Sequence, residues 1–156
     1  MTAILFVCLG NICRSPLAEG VFRHKIEAMG LTDRFVADSA GCGGWHKGEQ
    51  PDRRSIAVAA SHGVDISDQR ARQVTADDFD RFDLILGLDR DNVAYLSKMK
   101  PWESQARVAL YLEDALGRAK NVPDPYYGEP RDFEDVYRLC DEASDALIKR
   151  LTSPAA

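Results

Sequence analysis

A cysteine and an arginine stand six positions apart near the start of the chain, in Cys8-Leu9-Gly10-Asn11-Ile12-Cys13-Arg14-Ser15. A loop this short, closing on a helix N-terminus, turns several backbone N–H groups toward one point and adds the positive end of the helix dipole. The result is a cradle for a tetrahedral dianion. Gly10 and Asn11 tolerate the left-handed backbone that convergent amides require, and the Asn11 side chain has the polarity to pin the loop. Arg14 offers a planar fork for two phosphoryl oxygens and stays charged at any relevant pH. The same dipoles favour a thiolate at Cys8, and the Ser15 hydroxyl has the reach to donate to it. Cys8 is therefore the candidate nucleophile, and Leu9 to Ser15 the candidate phosphate-binding run. A lone match of this spacing also describes a buried strand cysteine followed by a surface arginine, so the flanking elements must decide.

Ile4 to Leu9 is a nearly continuous apolar run, the pattern of a strand buried on both faces of a parallel sheet. After the loop, Ser15 reads as a helix N-cap with Pro16 in the first position, and Leu17, Val21, Phe22, Ile26 and Met29 recur at helical spacing up to Gly30. Phe35 to Ala40 is a second strand, and Gly41-Cys42-Gly43-Gly44 a loop. Pro51 to His62 is helical, with Gly63 as terminator. Leu84 to Leu88 is a third strand, followed by a helix capped by Asp89 or Asp91, carrying Val93, Leu96 and Met99 and ended by Pro101. Arg107 to Leu112 supplies a fourth strand and Asp132 to Leu151 a last helix. Val122 to Pro130, with three prolines and two tyrosines, is a loop. This alternation predicts a small doubly wound α/β domain over residues 1–156, a four-stranded parallel sheet with helices on both faces. In such sheets ligands bind beyond the carboxyl ends of the strands, where the order reverses. The Cys8 loop is in that place.

With 45% hydrophobic and 29% charged residues, the 156-residue chain has ordinary globular usage. A net charge of −5 argues against nucleic acid or an anionic membrane as partner, so attraction for an anion must be local. No apolar run is long enough to span a bilayer, and the first residues lack the charged region of a signal peptide, so a cytoplasmic location is expected. The four cysteines have no metal spacing and are expected as free thiols, with no metal and no cofactor. The sequence does not decide whether the chain self-associates; a monomer is the expectation.

At these residues the chain resembles the low-molecular-weight protein tyrosine phosphatases. Their amino-terminal signature is matched by Val7-Cys8-Leu9-Gly10-Asn11-Ile12-Cys13-Arg14-Ser15-Pro16. The similarity continues through Asp38-Ser39-Ala40-Gly41, His62-Gly63, Arg70-Ala71-Arg72-Gln73 and Asp124-Pro125-Tyr126-Tyr127-Gly128, in the same order. The resemblance implies hydrolysis of phosphotyrosine in protein substrates through a phosphocysteine, with inorganic phosphate as product.

A thiolate that displaces an alkoxide or phenoxide needs a separate acid on the opposite side. From the residues alone several aspartates qualify, and Asp124, between Pro123 and Pro125, equally suits a turn that caps itself. The resemblance places the general acid at Asp124. Tyr126 and Tyr127 have flat faces suited to wall an aromatic slot, or to pack locally. Trp45, beside His46, is a further wall or a shield over the sheet. Asp89 is either a helix N-cap or an active-site edge residue. The resemblance implies that Asn11, Ser15, Ser39 and His62 support the loop, and that Cys13 closes a reversible disulfide with Cys8; Cys13 also suits simple packing behind the loop. Cys42 and Cys140 read as structural. Two rivals stand: an arsenate reductase, weakened by the lack of a cysteine between Cys42 and Cys140, and a binding module, which needs neither thiolate nor acid.

Overall fold

The computed structural model describes residues 1–153, so the last three residues of the expected domain lie outside it. Its elements run β1 (Thr2–Cys8), α1 (Arg14–Ala28), β2 (Phe35–Gly41), α2 (Arg53–Ser61), α3 (Asp78–Arg81), β3 (Leu84–Gly87), α4 (Arg90–Met99), β4 (Arg107–Leu110), α5 (Tyr111–Leu116) and α6 (Pro130–Thr152). All four strands are parallel, in the order β2-β1-β3-β4.

The continuous apolar run of β1 reflects its central place, with both edges paired and both faces covered. Ile4, Phe6 and Cys8 face a core built by α1, α2, α5 and α6. Leu5 and Val7 face a smaller core with Val74, Phe79, Phe82 and Leu96, from the side of α3 and α4. The chain passes from β1 to β2 on one side, then crosses back to β3 on the other. The loops after β1 and β3 therefore diverge onto opposite faces and leave a crevice between them. Cys8 and Asp89 are on its two lips.

Two local expectations change and one element is new. α1 begins at Arg14 after Cys13, and no side chain caps it; Ser15 lies inside the helix because its hydroxyl has partners in the loop. The fourth strand stops at Leu110. Tyr111 and Leu112 do not continue it but turn into α5, which packs on α6 and ends at Gly117, a left-handed residue with φ 71° that a helix C-terminus favours. The short α3 has too few residues for a periodic signal.

Candidate active site

The loop between β1 and α1 is held by its carbonyls. Cys8 O accepts the amide of Cys42, Leu9 O that of Gly43 and Ile12 O that of Asp52, at 2.9, 3.0 and 2.7 Å. Ser55 Oγ adds a contact of 3.3 Å to Cys13 O. These acceptors are tied to neighbouring segments, while the loop's donors stay unclaimed by the protein. Among the described residues, no amide from Leu9 to Cys13 donates to another protein group. Asn11 makes this curvature possible with φ 58°, the left-handed region.

Side chains brace the loop from behind. Asn11 Nδ2 donates to Ser15 Oγ at 2.8 Å and to Ser39 Oγ at 3.0 Å, while its Oδ1 accepts the amide of Arg72 at 3.0 Å. Ser15 Oγ lies 3.0 Å from Cys8 Sγ. Asn11, Ser15 and Ser39 thus stand where the sequence expected support. His62 does not. α2 starts at the loop, and its nine residues carry His62 about 13 Å away along the helix axis. There His62 Nε2 meets Glu134 of α6 at 2.8 Å and the ring stacks on Tyr137 at 4.0 Å.

Arg14 is 3% exposed. One guanidinium nitrogen, Nη1, donates to Asp89 Oδ2 at 2.7 Å and to Val122 O at 3.0 Å. Nη2 stands 3.9 Å from Asp124 Oδ2. Asp89 does both things the sequence offered as alternatives: Oδ1 caps α4 by accepting the amide of Asn92 at 2.8 Å, and Oδ2 takes Arg14.

Cys8, Leu9, Gly10, Ile12, Cys13 and Arg14 floor a pocket of about 220 Å³, and Trp45, His46, Asp124, Tyr126 and Tyr127 wall it. Asp124 is half exposed and accepts the amide of Tyr126 at 3.1 Å, so it both shapes its own turn and faces the pocket. Trp45 is 70% exposed, a projecting wall and not a sheet cover. Tyr127 projects at the rim, whereas Tyr126 is partly covered and lies 5.5 Å from the Arg54 guanidinium. Burial pushes the Cys13 thiol up to about 12, with nearby Asp52 adding to the rise. The four thiols are free, and among the described residues no cluster of ligating side chains suits a metal.

Sequence reasoning missed Glu19, Arg72 and Arg54. Arg72 ties the loop to Asp38 and to the buried Asp78. Glu19 is 5% exposed, accepts Ser39 Oγ at 2.7 Å, and has its carboxyl pushed up to about 7 by burial. Its signal is weak because every residue from Arg14 to Phe22 is buried, which erases the polar stripe that would have set a lone carboxylate apart.

Residues 3–155 match the family model described as low molecular weight phosphotyrosine protein phosphatase. The phosphatase of that name from Schizosaccharomyces pombe is 43% identical over 150 residues, covering 95% of this chain and 96% of the relative. A low molecular weight protein-tyrosine-phosphatase of Streptomyces coelicolor is also 43% identical, covering 93% and 90%. The crystal structure of a protein tyrosine phosphatase from Entamoeba histolytica superposes with a TM-score of 0.90 at 37% identity, covering 97% of both chains. Sequence and structure agree along nearly all of the described residues, and the chain belongs to the low molecular weight phosphotyrosine protein phosphatase family.

Proposed function

We propose that the protein hydrolyses phosphotyrosine in protein substrates, and aryl phosphates generally, through a phosphocysteine. The observation that carries the reading is the run of amides from Leu9 to Cys13 that no protein group claims, in a loop that lines one pocket together with Cys8 and Arg14. Amides and guanidinium hold the equatorial phosphoryl oxygens while the Cys8 thiolate attacks phosphorus in line. The phosphorus–oxygen bond to the phenol breaks, and Asp124 gives its proton to the departing oxygen. Asp124, now a carboxylate, takes a proton from water, which displaces the sulfur and releases inorganic phosphate. Ser15 donates to the sulfur as it leaves. Trp45, Tyr126 and Tyr127 flank the aryl ring. Cys13, on the same pocket floor, is the thiol that closes on an oxidised Cys8. No step calls for a metal or cofactor, and free thiols suit a reducing, cytoplasmic setting.

The reductase rival loses ground because Cys140 is fully buried on the inner face of α6 and does not line the pocket that holds Cys8.

The test is rapid-quench hydrolysis of an aryl phosphate. Native protein is expected to accumulate acid-labile phosphate on Cys8, and Cys8→Ser to lose turnover altogether. Asp124→Asn is expected to slow poor leaving groups by about 10²- to 10⁴-fold and good ones much less. Turnover by Cys8→Ser would exclude the covalent route.

A further inference from the structure

Glu19 has no part in the chemistry proposed above, yet its carboxylate is claimed from two sides. Oε1 accepts the Ser39 hydroxyl at 2.7 Å, and Oε2 accepts Arg23 Nε at 2.8 Å. Having given its one hydrogen to Glu19, Ser39 can meet Asn11 only as an acceptor, and Asn11 Nδ2 donates to it. The Asn11 amide is locked in this sense because its Oδ1 takes the amide of Arg72. Its other Nδ2 hydrogen goes to Ser15, whose own hydrogen is then directed to Cys8 Sγ at 3.0 Å over the Ala40 carbonyl at 3.5 Å.

We propose that ionised Glu19 is a positioning residue for the nucleophile: by holding Ser39 as an acceptor, it keeps Asn11 and the loop in the arrangement that aims the Ser15 hydroxyl at the Cys8 sulfur. The proposal rests on the reading of Cys8 as nucleophile. Position 19 must accept on both sides, which only a carboxylate does. An amide isostere has one oxygen. With Arg23 donating to that oxygen, its NH₂ falls on Ser39, which then receives two donors and has nowhere to place its own hydrogen. Protonation puts a hydrogen on one of the two oxygens, so the group can no longer accept from Ser39 and Arg23 at once.

Burial lifts the Glu19 carboxyl to about 7 against the pull of Ser39 and Arg23, with Asp38 of β2 adding to the rise and Arg72 opposing it. A cavity behind the loop brings His24 and Glu27 from α1, and Asp65, Asp68 and Arg70 from the segment after α2, around the same carboxylate. The brace is therefore complete above neutrality and gives up one of its two acceptor positions as pH falls below about 7.

Alkylation of Cys8 by iodoacetamide tests this without requiring turnover. The other three thiols are pushed by burial to about 11 or 12, so Cys8 reacts first. Native protein is expected to show a step in rate near pH 7. Glu19→Gln is expected to lack that step and to react about fivefold more slowly at pH 7.5. Ser39→Ala cuts the same chain while leaving the Glu19–Arg23 pair in place, and is expected to reproduce the loss if Glu19→Gln folds poorly. In a Ser15→Ala background, Glu19→Gln is expected to add nothing. Equal rates for native and both single variants at pH 7.5, or a Glu19 effect that persists without the Ser15 hydroxyl, would overturn the proposal. Failure of aryl phosphate hydrolysis in the native chain would instead overturn the functional reading and leave the alkylation result standing.

Discussion

Arg14 and Asp89 meet at 2.7 Å across the crevice, one at the start of α1 and the other at the cap of α4, so the anion-binding arginine is aligned by the opposite layer of the fold. The guanidinium is buried, and Val122 O takes another of its donors, which leaves it little freedom to leave the pocket.

Asp89→Asn separates the two roles of that carboxylate. Asparagine is as good an N-cap as aspartate, so the cap of α4 is expected to survive, and the stability lost, about 1.5 to 3 kcal/mol, is expected to come from the pair with Arg14. A buried charged hydrogen bond is lost at Arg14, and kcat/KM for an aryl phosphate is expected to drop at least about tenfold. Unchanged kcat/KM would mean that Val122 O alone aligns the guanidinium.

A Cβ on Gly43 would lie 1.9 Å from the Trp45 ring, a distance no packing adjustment absorbs without moving the indole. Gly43→Ala is expected to displace this wall of the pocket and raise KM for aryl phosphates several-fold, with kcat and stability little changed because Trp45 is largely exposed. Steady-state kinetics alongside the tryptophan emission spectrum checks both halves.

The raised carboxyl of Glu19 also sets a stability slope. Its folded value near 7 exceeds the ordinary 4.5, so the folded state holds the extra proton between those values. The stability this contributes is full below about pH 4.5 and is lost as pH rises through about 7, to an upper bound of about 3 kcal/mol. Urea denaturation at pH 5 and pH 8 is expected to show the decline in native protein and a flatter profile in Glu19→Gln. Equal slopes would place the titration on another group.

Cys13 is a thiol at neutral pH, since burial and Asp52 hold it up to about 12. After peroxide converts Cys8 to its sulfenic acid, attack by the Cys13 sulfur expels water and closes the disulfide. That step is expected to speed up by nearly tenfold for each pH unit between 7 and 9, because the thiolate is the attacking form. Peptide mass mapping that finds no Cys8–Cys13 linkage after mild peroxide would remove Cys13 from this role.

What the sequence made legible was local. Cys8, Arg14 and the glycine-rich loops announce themselves through spacing and backbone permissiveness, and β1 through an apolar run that only a doubly covered strand needs. Asp89 kept both its local and its tertiary partner, but at two other places the tertiary partner prevailed. Ser15 had the chemistry of an N-cap but found Cys8 and Asn11; Tyr111 and Leu112 had strand propensity but found the flank of α6. His62 went astray because its nearest partner, Glu134, lies 72 positions ahead. Glu19 stayed hidden because a fully buried helical stretch carries no contrast between faces.

The two cores on either side of the sheet supply different parts of one pocket. The nucleophile and its amides rise from the side of α1, and the counter-ion of Arg14 from the side of α4. A small sliding of one layer over the other would part Arg14 from Asp89 before it disturbed either core. Mutations deep in α4 or β4, remote from any ligand, should therefore blunt turnover while the protein still melts as a single unit, and activity becomes a finer gauge of interlayer fit than stability itself.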